Sequence, residues 1–427
     1  MQTVPPHYGG TLYSSVDTRA SSLGTNTNVR IQVFPHGTTN MPKKRTALGL
    51  LLVTLSFAIS CQAVEIATGK MLGREYQARW FYVRESPSAQ WVPTYTGLKY
   101  RSEAAGRLMN IRVAQALFDD EWLTEVPFNS EANTGRVIAA LDTYRENGVL
   151  AINVSLQGGN PGYKEVVSEI QRDHEASPGR GKGALISAFL PDGSLKPAWM
   201  RRLLRLQRAI NERGMILTLM YFYQGQNGVL RDPAAIQQAV TNATDWLVQN
   251  DCRNVIIEIA NEFDWGYDPW IKNHMGELIG LARSRFGPQF RLPIGASILG
   301  IGVPDSTRDH ADLAIVHGNG RKPEAKRKAV ADLFRDPKIP GPIYMDEDDN
   351  GRNTTSETFA AQMASVDGVW LSGGSWGYMP WRQVQMFPFR YYLPKCGQKL
   401  DDHLPVDERD QAYFCAVLEH IHSLVFR

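Results

Sequence analysis

Cysteine is scarce in this sequence, four residues among 427. Cys61 falls in an expected leader, and the remainder, Cys252, Cys396 and Cys415, is an odd number that argues against a disulfide framework. A single Cys396–Cys415 bridge stays open. There is no C-x-x-C and no H-E-x-x-H, so no zinc signature is present. An excess of one charge is missing too. Lys and Arg number 46 against 44 Asp and Glu, a formal net charge of +2. That balance lacks the basic patch or tail of a nucleic-acid binder. The apolar run after Lys43 is shorter than the ~20 residues a membrane-spanning helix needs. One G-x-S-x-G match occurs, at 373–377, but without the strand-to-helix context of an esterase elbow.

What is present is a chain with 43% hydrophobic residues, enough for one large domain or two ordinary ones. Its 10 Trp and 16 Tyr fill cores first and hint only mildly at a sugar- or ligand-lined cleft. Residues 1–40 are rich in Thr, Ser, Asn and Gly without apolar periodicity, and read as a leader without a fold or an over-long gene start. Residues 41–63 read as a secretory signal: Lys43, Lys44 and Arg45, then the apolar run from Thr46 to Ile59, then small residues around Ala58 to Ala63. The expected location is secreted or periplasmic, with membrane attachment only through lipidation at Cys61. The folded domain is expected over 64–427.

In that domain, short apolar or β-branched runs end in polar, Gly or aromatic residues. Eight occur, at 107–121, 148–159, 213–225, 253–266, 291–300 (weak), 311–320, 341–351 and 367–379. Amphipathic stretches separate them. In 196–214, Trp199, Leu203, Leu206 and Ile210 recur at helical spacing, and Asp232 before Pro233 reads as an N-cap with proline at the first helical position. Strands alternating with helices imply a parallel sheet, and eight of them over ~320 residues fit a (β/α)8 TIM barrel. An open doubly wound sheet would offer a Gly-rich phosphate loop after its first strand, where this chain has "LFDDEW".

Barrel function sits at the C-terminal ends of strands. Those ends carry Asp119, Asp120 and Glu121, then Gln157, then Tyr221, Tyr223 and Gln224, then Asn261 and Glu262, then His317 and Asn319, then Asp346, Glu347 and Asp348. Two carboxylates on the fourth and seventh strands face one another across a barrel mouth. Glycoside hydrolysis needs such a pair, one group to protonate the leaving oxygen and one to attack the anomeric carbon or activate water.

Here the sequence resembles a known group. "VIIEIANE" resembles the fourth-strand signature of clan A glycoside hydrolases, the cellulase-like family 5 in particular, in which Asn-Glu ends the strand and the Glu is the acid/base. "GPIYMDEDDNG" resembles the seventh strand, whose nucleophile lies five residues after the opening Pro; Pro342 plus five is Glu347. The resemblance covers roughly 97–380. It implies a retaining O-glycoside hydrolase with Glu262 as acid/base, Glu347 as nucleophile, and no cofactor or metal. It implies that Asn261 binds the sugar hydroxyl beside the anomeric centre and that His317 touches nucleophile or sugar. Departures are Phe263 where the family has Pro, Asn153 where it has Arg, and Tyr221-Phe222-Tyr223 where it has His. Arg112 is the expected substitute for the guanidinium. Tyr223, Trp265, Trp370, Trp376 and Asp348 complete the expected substrate contacts, with an oligo- or polysaccharide as partner. Glu258 is expected inside the barrel, paired with a base such as Arg112. The alternative is a non-catalytic carbohydrate-binding barrel or an inactive relative.

One further motif competes for the same residues. Asp346, Asp348, Asn350, Gly351 and Glu357 match the calcium-loop spacing D-x-[DN]-x-[DN]-G-x5-E. An EF-hand requires a helix on each side. A Pro-initiated strand precedes this stretch, so the match reads as coincidence.

Overall fold

The computed structural model describes residues 64–119, 128–158, 186–224, 226, 228–267, 269–288, 290–349, 353–380, 384–385 and 389–427. The expected leader and export signal lie outside the described residues, as do Asp120, Glu121, Asn350 and Gly351.

Eight parallel strands form one sheet. In chain order they are β1 (Met109–Arg112), β2 (Ala151–Ser155), β3 (Ile216–Phe222), β4 (Val255–Ala260), β5 (Ile294–Gly295), β6 (Ala314–His317), β7 (Ile343–Asp348) and β8 (Ser375–Tyr378). Their spatial order is β5-β4-β3-β2-β1-β8-β7-β6. The remaining seam, between β5 and β6, is drawn together where the Asp312 N–H donates to the Ile294 carbonyl at 2.8 Å. A helix follows each strand: α1 (Ser130–Glu146), α2 (Pro197–Glu212), α3 (Pro233–Gln249), α4 (Met275–Ser284), α5 (Asp305–Arg308), α6 (Pro323–Arg335), α7 (Ser356–Leu371) and α8 (Val406–Val425). This is a nearly closed (β/α)8 barrel.

The local causes follow from the sequence. The strands are buried along their whole length because helices cover their outer face and their inner face lines the barrel interior. In α2, Trp199, Leu203, Leu206 and Ile210 are all buried. At α3 the Asp232 carboxylate accepts the Ala235 N–H at 2.8 Å, and Pro233 opens the helix. The eighth run divides: its first part completes α7, and only four residues form β8. Trp370 is therefore a helix residue, buried beside Arg107 and Tyr95.

The opposite end of the barrel is covered by a small antiparallel sheet, Glu65–Thr68, Phe81–Arg84 and Val92–Pro93. Phe81 meets Tyr344 of β7 edge-on at 5.9 Å. Arg79 donates to the carbonyls of Ile339 and Gly341, which lie just before β7. Cys396 and Cys415 form a disulfide that ties the segment after β8 to α8.

A wholly buried ion pair joins a helix to the outer face of the barrel wall. Lys326 of α6 meets Asp348 of β7 at 2.6 Å, and both side chains are fully covered. Truncating one partner strands the other charge without water. Lys326→Ala is expected to lower stability by about 3–5 kcal/mol, read as a drop in denaturant midpoint. A loss below about 1 kcal/mol, the range of surface pairs, would contradict this placement.

Candidate active site

Two interruptions of strand regularity build the site. Along a strand, successive side chains point to opposite faces. In β7 the register slips: Val316 pairs with Met345, but His317 pairs with Glu347, and the pairing with β8 also shifts between Met345 and Asp348. This bulge lets two consecutive acids face inward. Asp346 reaches Asn153, Arg112 and His317, and Glu347 reaches Arg112, Asn319 and His317. The bulge is fastened by Asn110 Nδ2, which donates to the Asp346 carbonyl at 2.8 Å. Gly377 lies against it, where a Cβ would come 2.4 Å from that carbonyl oxygen.

The end of β4 does the same in another way. Glu262 has φ +49°, the left-handed region that costs a non-glycine residue energy. Ser297, after β5, supports it: the Glu262 N–H donates to Ser297 Oγ at 2.9 Å and the Phe263 N–H to the Ser297 carbonyl at 2.9 Å. Asn261 and Glu262 both turn to the mouth as a result.

The side chains then interlock. Arg112, fully buried at the end of β1, meets Glu347 Oε2 at 2.8 Å and donates to Asn261 Oδ1 at 2.8 Å. Tyr223 stands beside the same guanidinium, 5.9 Å from ring centre to Arg112 Cζ. Asn261 Nδ2 donates to Gln224 Oε1 at 2.6 Å, and Gln224 Nε2 donates to Glu262 Oε2 at 3.0 Å. His317 Nδ1 is 2.8 Å from Glu262 Oε1 and 3.7 Å from Glu347 Oε2. Asn319 donates to Glu347 Oε1. One oxygen of Glu262, one of Glu347 and a His317 nitrogen lie within 4.8 Å of one another. Glu262 and Glu347 keep 5% and 4% of their surface, while Glu258, Asp346 and Asp348 keep none. Only the first two can meet a ligand.

The charges follow from these contacts. Burial pushes the Glu347 carboxyl up, but Arg112, then His317 and Asn319, outweigh it and hold the group below its ordinary value. Burial pulls His317 down, yet Glu347, Asp346 and Glu262 together raise it well above its usual range. Arg112 is likewise kept charged against burial, by Glu347 first. Glu258 goes the other way: burial, then the nearby Asp346, raises it well above an ordinary glutamate. The sets Glu258/His317/Asp346 and Glu262/His317/Glu347 each have three atoms near enough for a metal. Their members are already paired within the protein: Arg112 meets Glu347 and Asp346, and His317 lies within 3.7 Å of Glu262, Asp346 and Glu347.

Of the residues the sequence nominated, Glu262, Glu347, Asn261, His317, Arg112 and Tyr223 come together. Trp265 is at the same end, 56% exposed, in the turn after Glu262. Three do not join them. Asp348 faces the helices, bound to Lys326 and, at 2.8 Å, to Trp376 Nε1. Trp376 is buried on that outer face, stacked on Tyr378. Trp370 lies in α7. Asp346 and Asp348 thus point to opposite sides of the wall and share no calcium position, and Glu357 belongs to the first turn of α7. Glu258 is buried as expected, but its partner is Ser297, whose Oγ donates to Glu258 Oε1. Arg112 meets Glu347, Asn261 and Asp346 instead. Ser375 of the G-x-S-x-G match begins β8, with Oγ accepting the Leu108 N–H at 2.9 Å. Sequence reasoning missed Ser297 altogether, since nothing marks a serine beyond a weak two-residue strand.

No protein-family model matches this sequence, and no curated protein matches it. Solved structures do. An exo-β-1,4-mannosidase from an Opitutaceae bacterium is 15% identical, with TM-score 0.42, covering 66% of this chain and 54% of that one. A broad-specificity GH5-4 endoglucanase from an uncultured bacterium is 13% identical, with TM-score 0.45, covering 74% and 93%. A glycoside hydrolase family 5 enzyme from Prevotella bryantii is 9% identical, with TM-score 0.43, covering 66% and 92%. The chain thus spans about half the length of the first of these structures.

Proposed function

We propose that the protein is a retaining O-glycoside hydrolase acting on an oligo- or polysaccharide, with Glu262 as acid/base and Glu347 as nucleophile. The observation that carries this reading is the pair itself. Two partly accessible carboxyls at the ends of β4 and β7 have oxygens within 4.8 Å, with His317 between them. Retaining enzymes hold their carboxyls ~5–5.5 Å apart, and inverting ones ~6.5–9.5 Å, to leave room for a water.

The environments differ as the two roles require. Glu347 is held ionised by Arg112, the state in which it can attack the anomeric carbon. Glu262 has no guanidinium against it. Its partners are an amide and an imidazole, and His317 Nδ1 keeps a proton within reach of its Oε1. Glu262 would protonate the departing oxygen; it would then take a proton from the water that hydrolyses the glycosyl-Glu347 ester. Asn261, held by Arg112 and Gln224, would meet the adjacent sugar hydroxyl, and Trp265 would offer an exposed ring for stacking. Export belongs to the same proposal. It rests on the Lys43-Lys44-Arg45 cluster and the apolar run that follows.

The test is a panel of aryl glycosides and polysaccharides, with the anomeric configuration of the first product read by proton NMR. Hydrolysis with retained configuration, unaffected by EDTA, is expected. Inverted product would remove the nucleophile role from Glu347. Polysaccharide binding without turnover would favour a non-catalytic barrel.

A further inference from the structure

Beneath the candidate pair lies a second, sealed group of ionisable side chains that the proposed reaction does not use. Glu258 of β4 and Asp346 of β7 are fully buried, and one donor atom from each lies with one of His317 within 4.8 Å. His317 Nε2 stands 3.4 Å from Asp346 Oδ1. Glu258 Oε2, Asp346 Oδ1 and His317 Nε2 all lack a hydrogen-bond partner. Two buried carboxyls with oxygens inside 4.8 Å of one another favour a proton or a cation in the pocket.

Charge counting selects the proton. The ionisable groups around His317 and its carboxylate partners are Glu258 from β4 and Glu262 just beyond it, Asp346 and Glu347 from β7, Arg112 from β1, Tyr223 from the end of β3 and Tyr267 from the turn after Glu262. The tyrosines are neutral, raised by burial first. Two cations, Arg112 and His317, thus face four carboxyls. Arg112 pairs with Glu347 and Asp346, and His317 with Glu262, Glu347 and Asp346. The fully buried Glu258 is ion-paired with neither cation, so the proton falls to it: its Oε1 already accepts from Ser297 and its Oε2 is free to donate.

We propose that Glu258 is a positioning residue: a proton on its Oε2, shared with Asp346, holds Asp346 against His317 and so fixes the imidazolium that faces Glu262. Its other oxygen reaches the same target by a second route. Glu258 Oε1 anchors the Ser297 hydroxyl, and Ser297 Oγ accepts the Glu262 N–H that secures the left-handed turn. Glu258 thus touches neither substrate nor reacting atoms, yet it supports both ends of Glu262. The proton sharing stands independently of the reaction; the effect on Glu262 rests on its reading as acid/base.

The experiment compares Glu258→Gln and Glu258→Ala in the full chain. An amide supplies a neutral N–H donor for Asp346 and a carbonyl for Ser297; alanine supplies neither. Glu258→Ala should lower kcat on the order of 10²-fold, a modest general-acid effect, with KM little changed, and Glu258→Gln should recover most of it. Two readouts need no substrate. The infrared spectrum of the wild type should contain a buried carboxylic-acid C=O band that disappears in Glu258→Gln. Thermal stability should also separate the two. A glutamate raised by folding contributes fully below its unfolded value of about 4.3 and loses that contribution as pH rises through its folded value. The wild-type melting temperature should therefore fall more steeply from acid toward alkaline pH than that of Glu258→Gln. Absence of the band, or parallel melting curves, would overturn the shared proton. Glu258→Gln as inactive as Glu258→Ala, with the band present, would overturn the positioning role. A divalent ion that binds wild type and raises its melting temperature, but not that of Glu258→Gln, would put a cation where we place the proton.

Discussion

Glu347→Ala is expected to remove turnover on the order of 10⁴–10⁶-fold, the scale seen when a covalent nucleophile is deleted. The chain should remain folded. Arg112 would still donate to Asn261 and keep Asp346 at 3.8 Å, so its charge is not stranded. Circular dichroism melts would check this. The informative step is the addition of azide. A small anion can enter the space left by the carboxylate and attack the anomeric carbon directly. Activity on an aryl glycoside should then return, with the glycosyl azide formed in the inverted configuration, because only one displacement occurs. The wild type should also stay active well into acid. Glu347 is held below its ordinary value, so the form that attacks persists until pH falls through that lowered value. No rescue by azide in a folded variant would argue that Glu347 binds or positions but does not attack.

The barrel was legible because its signal is repeated and local. Eight apolar runs, each ended by polar residues and followed by an amphipathic stretch, contain all eight strands. Helix caps such as Asp232 could be read from two residues. The site was legible only in part, and the reason is geometric. Residue spacing in a strand predicts strict alternation, which puts Asp346 and Asp348 on one face and Glu347 on the other. The register slip in β7 reverses this. Asp346 and Glu347 face inward, and Asp348 faces Lys326 behind the wall. A bulge is fixed by long-range contacts, here Asn110 from β1 and the missing side chain at Gly377 of β8, and no local pattern announces it.

The aromatic residues were harder still. Trp265, Trp370 and Trp376 look alike in sequence, each near a strand end. Their fates differ because of partners far along the chain. Trp376 is drawn outward by Asp348, Trp370 is covered by Arg107 and Tyr95, and Trp265 has no such cover. Ser297 shows the same limit for small polar residues. Its value comes from bonding both Glu258 of β4 and Glu262 in the turn after it, a relation that exists only once β4 and β5 are side by side.

Glu262→Ala should behave unlike Glu347→Ala, and the contrast identifies the roles. Without a general acid, the first step depends on how well the leaving group departs unaided. Substrates with unactivated leaving groups should lose about 10²–10⁴-fold, the usual contribution of general acid catalysis. Aryl glycosides with good leaving groups should still form the glycosyl-enzyme, and its slow hydrolysis, now lacking a base, should appear as a burst of released phenol followed by a low steady rate. Azide should accelerate that second step and give a glycosyl azide of retained configuration, the opposite of the Glu347→Ala product. A structural objection needs its own control, since Glu262 occupies a left-handed turn. Glycine accepts φ +49° freely, whereas alanine bears a cost of roughly 1 kcal/mol. Glu262→Gly should therefore melt above Glu262→Ala while showing the same burst, the same leaving-group dependence and the same azide product. If activity follows melting temperature instead, with Glu262→Gly recovering turnover on unactivated substrates, then the role of Glu262 is to hold the end of β4 in shape, and the proton comes from elsewhere.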